Sequence, residues 1–211
     1  MKKLIMLLGS AMLLTFFASA QTEKGTVMLG LSGGNLFYAH DNDTHSKYTN
    51  WSVSLYPTAG IFLADNFLLG SRLNLGYNRY SQETSYSPYF RSNKTTSFNY
   101  GLGAFGRYYL PSTSKHRFFA ELGADLMHSR SRQVIRDSQQ DPNEARNNNK
   151  ENSLGFHGSV GYNYFFAPNL ALEASVGYHR TNLGQAYSGG NLRGQLGLSI
   201  FLQKRQPAPQ P

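Results

Sequence analysis

The sequence contains no cysteine, which excludes a disulfide scaffold and a thiol-based site. Charged residues make up only 15% of the 211 residues, whereas a soluble globular domain carries about a quarter. After residue 20 there is no apolar run long enough to form a membrane-spanning helix. Glycine (21), tyrosine (14) and phenylalanine (14) are abundant instead. A chain of this composition must leave much of its surface uncharged.

The first twenty residues have the pattern of a cleaved signal peptide. Lys2 and Lys3 provide a positive start, residues 4–17 form a short apolar run, and Ala18-Ser19-Ala20 is a small-residue cleavage site. We therefore expect residues 1–20 to be removed on export, and the mature chain to begin at Gln21.

The mature chain alternates between apolar and polar residues with a period of two. Trp51, Val53 and Leu55 share one face in this way, and Leu73, Leu75 and Tyr77 share another. A period of two favours strands over helices. Eight such segments are predicted, at about 25–39, 47–63, 67–81, 95–110, 116–133, 152–166, 170–183 and 191–202.

Aromatic and large apolar residues recur ten residues apart on the apolar face of several segments. The pairs are Trp51 and Ile61, Phe67 and Tyr77, Phe98 and Tyr108, and Phe156 and Phe166. Ten residues of a strand tilted near 40° rise about 25 Å, the height of the apolar band of an outer-membrane barrel with aromatic girdles at both rims.

The connections between the segments alternate in length. Short turns at 64–66, 111–115 and 167–169 alternate with longer polar links at 39–46, 82–94, 134–151 and 184–190. This asymmetry predicts an all-β fold, an eight-stranded antiparallel up-and-down transmembrane β-barrel with both termini on the short-turn, periplasmic side. The barrel is expected over 21–203, followed by a disordered proline-rich periplasmic tail at 204–211. Pro57 interrupts the second strand, and we expect a bulge there.

Two stretches carry a family resemblance. Residues 56–77, with Pro57, Gly60, Asp65-Asn66 and Gly70, resemble a hairpin of small porin-like outer-membrane barrels of the OmpX and OmpA type. Residues 196–202 resemble the closing strand of that family. The resemblance implies the outer membrane of a Gram-negative cell, contact with the barrel-assembly machinery during biogenesis, and a monomer. The proline-rich tail departs from the family, because many members end on an aromatic residue.

Polar side chains on the opposite strand faces should line the barrel interior. Three basic residues, Arg72, Arg107 and Arg193, match three acidic residues, Glu121, Asp125 and Glu173. An eight-stranded barrel is barely wide enough for its own side chains, and buried charges must be paired. We therefore predict an internal ion-pair network that fills the interior, in preference to a gate or a selectivity ring.

Two further groupings invite a chemical interpretation. His157, Ser159 and Glu173 resemble the Ser, His and Glu set of membrane-barrel lipid A deacylases. However, all three side chains are expected to face the barrel interior, whereas an enzyme that acts on lipid must present its nucleophile to the bilayer. The expected register also separates Ser159 from Glu173 by more than ~10 Å, too far for a direct triad. His157 and His179 should face each other across one hairpin without an obvious third metal ligand. We expect a polar pair there, no metal, no cofactor and no enzyme activity.

The mature chain is basic, since removing Lys2 and Lys3 lowers the formal net charge from +8 to +6. Much of the excess lies at or beyond the long-link ends, for example at Arg130, Arg132 and Lys150. Anionic partners are favoured, and lipopolysaccharide phosphate is the local candidate; nucleic acid is not expected there. The predicted role is envelope support or adhesion through surface loops, with a narrow diffusion channel for small solutes as the alternative.

Overall fold

The computed structural model describes residues 22–87, 89–138, 145–183 and 187–203. These residues form eight antiparallel strands in one closed barrel, in the order of the chain. The predicted fold class is confirmed. The strands are β1 (Val27–Asn42), β2 (Ser46–Ala64), β3 (Phe67–Tyr86), β4 (Tyr89–Tyr109), β5 (His116–Asp137), β6 (Ala145–Ala167), β7 (Leu170–Leu183) and β8 (Tyr187–Leu202).

The short turns are where they were expected. β2 ends at Ala64 and β3 begins at Phe67, and Asn66 between them adopts a left-handed conformation with φ of 64°. Asparagine tolerates this conformation better than most residues, so the sequence fits a tight turn here. The predicted signal peptide and the predicted tail lie outside the described residues, and the described residues contain no helix with the length and hydropathy needed to cross a membrane.

The predicted bulge at Pro57 is wrong. Pro57 lies opposite Leu31 of β1, and the β2–β3 register is the same on both sides of it, with Leu55 opposite Leu75 and Thr58 opposite Arg72. Proline removes a hydrogen-bond donor but adds no residue, so the ladder loses contacts without changing register. The irregularity of this part of the barrel lies instead in β1, between Gly34 and Phe37.

The outward face of the barrel is an apolar band. Leucine, isoleucine and valine side chains fill its middle, and the aromatic pairs spaced ten residues apart mark its two edges: Trp51, Phe67, Phe98, Tyr108, Phe156 and Phe166 are all 38–50% exposed. Trp51 and Tyr77 pack side by side at the long-link edge, with ring centroids 4.9 Å apart. A band of exposed apolar side chains on this scale needs an apolar surrounding.

The long links are shorter than predicted, because the strands continue into them. β3 runs to Tyr86, β4 begins at Tyr89, β5 runs to Asp137 and β6 begins at Ala145. Alternation between apolar and polar residues is visible in a sequence only where one face of the strand is apolar. Where both faces are polar the alternation disappears, although the backbone hydrogen bonds between the strands continue. We call the outer parts of β3 to β6 the tall sheet; they extend about nine to eleven residues beyond the aromatic edge, or roughly 30 Å along the strand.

Candidate functional site

Arg107 lies at the centre of the barrel interior and joins two acidic side chains. It is 2% exposed. Its Nε donates to Glu121 Oε2 at 2.8 Å, while Nη1 and Nη2 donate to the two carboxylate oxygens of Glu173 at 2.7 and 3.0 Å. The β4–β5 register brings the first of these pairs together, because Arg107 lies directly opposite Glu121 on β5. The bidentate geometry is the one that guanidinium and carboxylate groups prefer.

The network continues from Glu121 toward the long-link end. Arg72 of β3 forms an ion pair with the other oxygen of Glu121 and also contacts His157 Nε2 at 3.2 Å. His157 Nδ1 lies 2.8 Å from Asp125 Oδ2, and Asn74 donates to Asp125 Oδ1 at 2.8 Å. These contacts fit a histidine that donates from Nδ1 and accepts at Nε2. We call Arg72, Arg107, Glu121, Asp125, His157 and Glu173 the charged layer.

The structure brings five of the six predicted network residues into this layer and leaves Arg193 outside it. Among the described residues Arg193 has no ion pair, and its Nε donates to Asn191 Oδ1 at 3.0 Å. His157, which was not among the predicted network residues, lies beside Asp125 instead. Arg193 lies outside the layer because of its height in the barrel. Its partner on β7 is Gly177, four residues closer to the long-link end than Glu173.

His157 and His179 are directly opposite each other in the β6–β7 register, as the turn predicted. Their rings stack with centroids 6.4 Å apart, and His179 Nε2 lies 3.8 Å from Asp125 Oδ2. In the part of the chain that the structure describes, no three histidine, cysteine, aspartate or glutamate side chains are placed to hold a metal ion. The pair shares one carboxylate.

The deacylase-like residues are not assembled into a triad in the described contacts. Ser159 lies opposite Gly177, as expected. His157 faces Asp125 and Arg72, while Glu173 binds Arg107 and accepts from Ser199 at 3.0 Å. A serine nucleophile needs a base and an orienting acid in a chain of hydrogen bonds, and here the histidine and the glutamate are each engaged elsewhere.

Below the charged layer, the short-turn end of the interior is closed by apolar side chains that the sequence analysis did not identify. We call them the aromatic layer; all are at most 3% exposed, and they are Met28, Phe62, Leu68, Phe105, Tyr109, Phe119, Phe165, Ala171 and Phe201. The signal for it is a doublet at strand ends, such as Phe118-Phe119 and Phe165-Phe166. One residue of each doublet faces outward and the other inward, so alternation vanishes where both faces are apolar.

The two layers are tied together by Arg107. Its guanidinium lies 3.9 Å from the centre of the Phe119 ring, and Nη1 donates to the Tyr109 hydroxyl at 3.0 Å. A cation over an aromatic face is stabilised by the ring quadrupole, and more so when both are removed from water. The interior is therefore continuous packing from the short-turn end up to Asp125.

Above the charged layer, the interior opens into a cavity of about 490 Å³, which we call the vestibule. Its lining includes Ser54, Tyr56, Asn74, His179, Thr181 and Arg193. Beneath it, between Asp125, His157 and Arg72, only about 30 Å³ remains, room for one or two water molecules. The vestibule is thus open toward the long-link end and closed at its base by the charged layer.

A basic patch lies at the outward long-link edge of the apolar band. Arg130 of β5 lies directly opposite Lys150 of β6, and both are exposed. Arg130 is held over the Tyr100 ring at 6.0 Å and beside His128, with Nε to Nε2 at 3.4 Å. Like charges directly opposite on neighbouring strands repel, so this pair is favoured when an anion lies between them.

No family model matches the chain, and no curated protein does. Solved structures with a similar fold are outer-membrane barrels. One is the outer-membrane protein OprG of Pseudomonas aeruginosa, with 12% identity and a TM-score of 0.50 over 90% of this chain and 100% of that one. The attachment invasion locus protein Ail of Yersinia pestis has 12% identity and a TM-score of 0.48 over 85% and 99%.

The translocator domain of the autotransporter NalP from Neisseria meningitidis is also similar, with 13% identity and a TM-score of 0.47 over 94% of this chain and 95% of that one. At these identities the similarity is one of fold. The resemblance to small outer-membrane barrels, which residues 56–77 and 196–202 suggested, is confirmed at that level.

Proposed function

We propose that this protein is an exported outer-membrane barrel with a plugged interior and no enzyme activity, which acts in envelope support or in contact at the cell surface. The observation that carries the proposal is the double closure of the interior. The aromatic layer fills the short-turn end and the charged layer lies on top of it, with Arg107 bound to both. A barrel closed in this way offers a rigid support, and its exposed strands offer the surface.

The tall sheet supplies the contact surface in this proposal. β5 and β6 stay paired as far as Ile135 and Ala145, whereas β6 pairs with β7 only up to Leu154 opposite Asn182. Residues 145–153 of β6 therefore have no β7 partner among the described residues, and their backbone groups form a polar sheet edge. Such an edge can pair with an extended segment of another chain.

Lipopolysaccharide is the lipid partner that we propose for the basic patch. Arg130 and Lys150 lie just beyond the apolar band, at the depth of lipid headgroups in the outer leaflet. Two cations across one strand pair match a phosphate with two negative charges. Lys150→Glu should weaken binding of lipopolysaccharide several-fold, measured by retention on lipopolysaccharide vesicles. Lys24→Glu, a charge reversal at the short-turn end, is the matched control, and equal losses in both would refute the site.

A narrow diffusion channel is the alternative, and the vestibule is the observation that favours it. Its volume of about 490 Å³ already admits small solutes from one side. A channel would then require only that the charged layer and the aromatic layer move or leave a water path. The two proposals differ in the state of the lower half of the barrel.

Single-channel conductance in a planar bilayer distinguishes them. We expect the refolded mature protein to be silent, with a heat-shifted gel band as the control for folding. The double variant Arg72→Ala, Glu121→Ala removes two side chains of the charged layer but leaves the aromatic layer, and it should also be silent. Discrete, reproducible steps from the folded wild type would refute the plugged barrel and establish the channel.

A further inference from the structure

The wall of the barrel is incomplete where its first and last strands meet. β1 and β8 pair from Val27 opposite Leu202 to Gly34 opposite Gln195, and the pairing stops there in the described residues. Both strands continue: β1 follows β2 up to Asn42, and β8 follows β7 down to Tyr187. Two unpaired strand edges therefore face each other above Gly34. We call this gap the notch.

The notch lies inside the apolar band. Tyr38 of β1 is opposite Trp51, and Leu192 of β8 is opposite Tyr178, so these residues mark the long-link edge of the band. From Gly34 to Tyr38 is about 13 Å along the strand. The side chains that flank the notch are among the most exposed apolar groups of the barrel, with Leu36 at 89% and Leu192 at 77%.

The vestibule lies directly behind the notch. β8 lines it with Asn191 and Arg193, and β2 lines it with Ser54 and Tyr56, but none of the described side chains of β1 lines it. On the outside, the apolar surface next to the notch includes Leu36, Leu55 and Leu196, while Ser54 and Gln195 face inward behind it. The notch thus connects an apolar exterior to a polar interior.

Arg193 places a cation in the lining of the vestibule that forms no ion pair with any described residue. Its one described hydrogen bond goes to Asn191. Arg72 and Arg107 of the charged layer, by contrast, each bind glutamate. A single guanidinium next to an opening in the wall matches a group with one negative charge, and a carboxylate accepts from it in bidentate geometry.

We propose that the notch binds a long-chain fatty acid, with its carboxylate on Arg193 in the vestibule and its acyl chain passing between Leu36 and Leu192 into the surrounding lipid. The gap is about four residues high along the strand, or about 13 Å. The floor of the vestibule keeps the carboxylate at Arg193, so the barrel captures the fatty acid from the outer leaflet without passing it downward. The site is independent of the surface-contact proposal.

The test is titration of the folded, full-length mature protein in detergent micelles with a fluorescent polyene fatty acid. Wild type should show saturable binding of one fatty acid per barrel. Arg193→Met should weaken binding at least tenfold, and the methyl ester of the probe should bind wild type as weakly. Arg180→Met is the matched control, because Arg180 is an exposed outward arginine on the neighbouring strand β7, and it should bind as wild type does.

A second variant tests the notch itself. A Cβ added at the exposed Gly194 meets no atom within 4 Å, so Gly194→Trp can place its ring over the notch from the lipid side without disturbing the barrel. It should abolish binding, whereas Gly106→Trp should not, since a Cβ at Gly106 meets only ordinary contacts, 3.7 Å from Phe67. The heat-shifted gel band verifies folding of each variant.

Three results would overturn the proposal. Equal binding of the acid and its methyl ester, or unchanged affinity in Arg193→Met, would show that the acyl chain only partitions into the micelle. Displacement of the probe by a two-chain anionic phospholipid, but not by unlabelled fatty acid, would assign the notch to a phospholipid. Binding by Gly194→Trp equal to wild type would place the fatty acid elsewhere.

Discussion

Removing Arg107 should destabilise the barrel more than removing any other interior cation. Arg107→Ala leaves Glu173, which is 9% exposed, with two neutral partners among the described residues, Asn163 and Ser199. Deleting one partner of a buried ion pair costs about 3–5 kcal/mol, because the other charge stays buried without compensation. Loss of the contact with Phe119 favours the upper part of that range.

Urea unfolding in lipid vesicles measures the effect. Trp51 is the only tryptophan of the chain and lies at the aromatic edge, where unfolding changes its environment. With a slope of about 2 kcal/mol/M, the loss lowers the midpoint by about 1.5–2.5 M urea. Arg193→Ala, which removes an interior arginine that has no ion pair with any described residue, is the matched control and should shift the midpoint by less than about 0.5 M.

A double variant separates the orphaned charge from the lost packing. Adding Glu173→Gln to Arg107→Ala removes the uncompensated carboxylate, and we expect it to restore at least half of the lost stability. A midpoint for Arg107→Ala equal to that of wild type would refute the charged layer as a source of stability. No recovery in the double variant would assign the loss to packing on Phe119.

Two further substitutions test the local geometry by the same urea assay. Gly161→Val should lower stability by about 1–3 kcal/mol, because a Cβ there would lie 2.6 Å from Cε1 of Phe119; unchanged stability would mean that the Phe119 ring has room to move. Asn66→Val should cost about 1–2 kcal/mol at the left-handed turn position, while Asn66→Gly should be neutral; equal losses in both would point to the Asn66 side chain and its hydrogen bond with Thr22.

The strands and their faces could be predicted because the band has one apolar and one polar face. The same logic places cross-strand neighbours across short turns: the 111–115 turn puts Arg107 beside Glu121, and the 167–169 turn puts His157 opposite His179. Where a short turn sets the register, local sequence suffices to find the pair.

Four features could not be predicted, for three physical reasons. The aromatic layer is hidden because doublets such as Phe118-Phe119 are apolar on both faces. The tall sheet is hidden because its strands are polar on both faces. The position of Arg193 relative to the charged layer, and the notch beside it, depend on how β8 meets β1, and no turn connects those two strands to fix their register.

The joint between β1 and β8 also bears on how the barrel closes during folding. It unites residues some 170 positions apart through eight paired positions, so it demands the largest loss of chain entropy for the smallest number of hydrogen bonds. Side chains compensate from within: Phe201 of β8 packs on Phe165, Phe62 and Tyr109, with ring centroids 4.9 to 6.4 Å apart. Met28 of β1 joins the same cluster. The burial of these side chains therefore supplies the free energy that closes the ring. We expect amide protons along the β1–β8 joint to exchange with solvent before those of the hairpins.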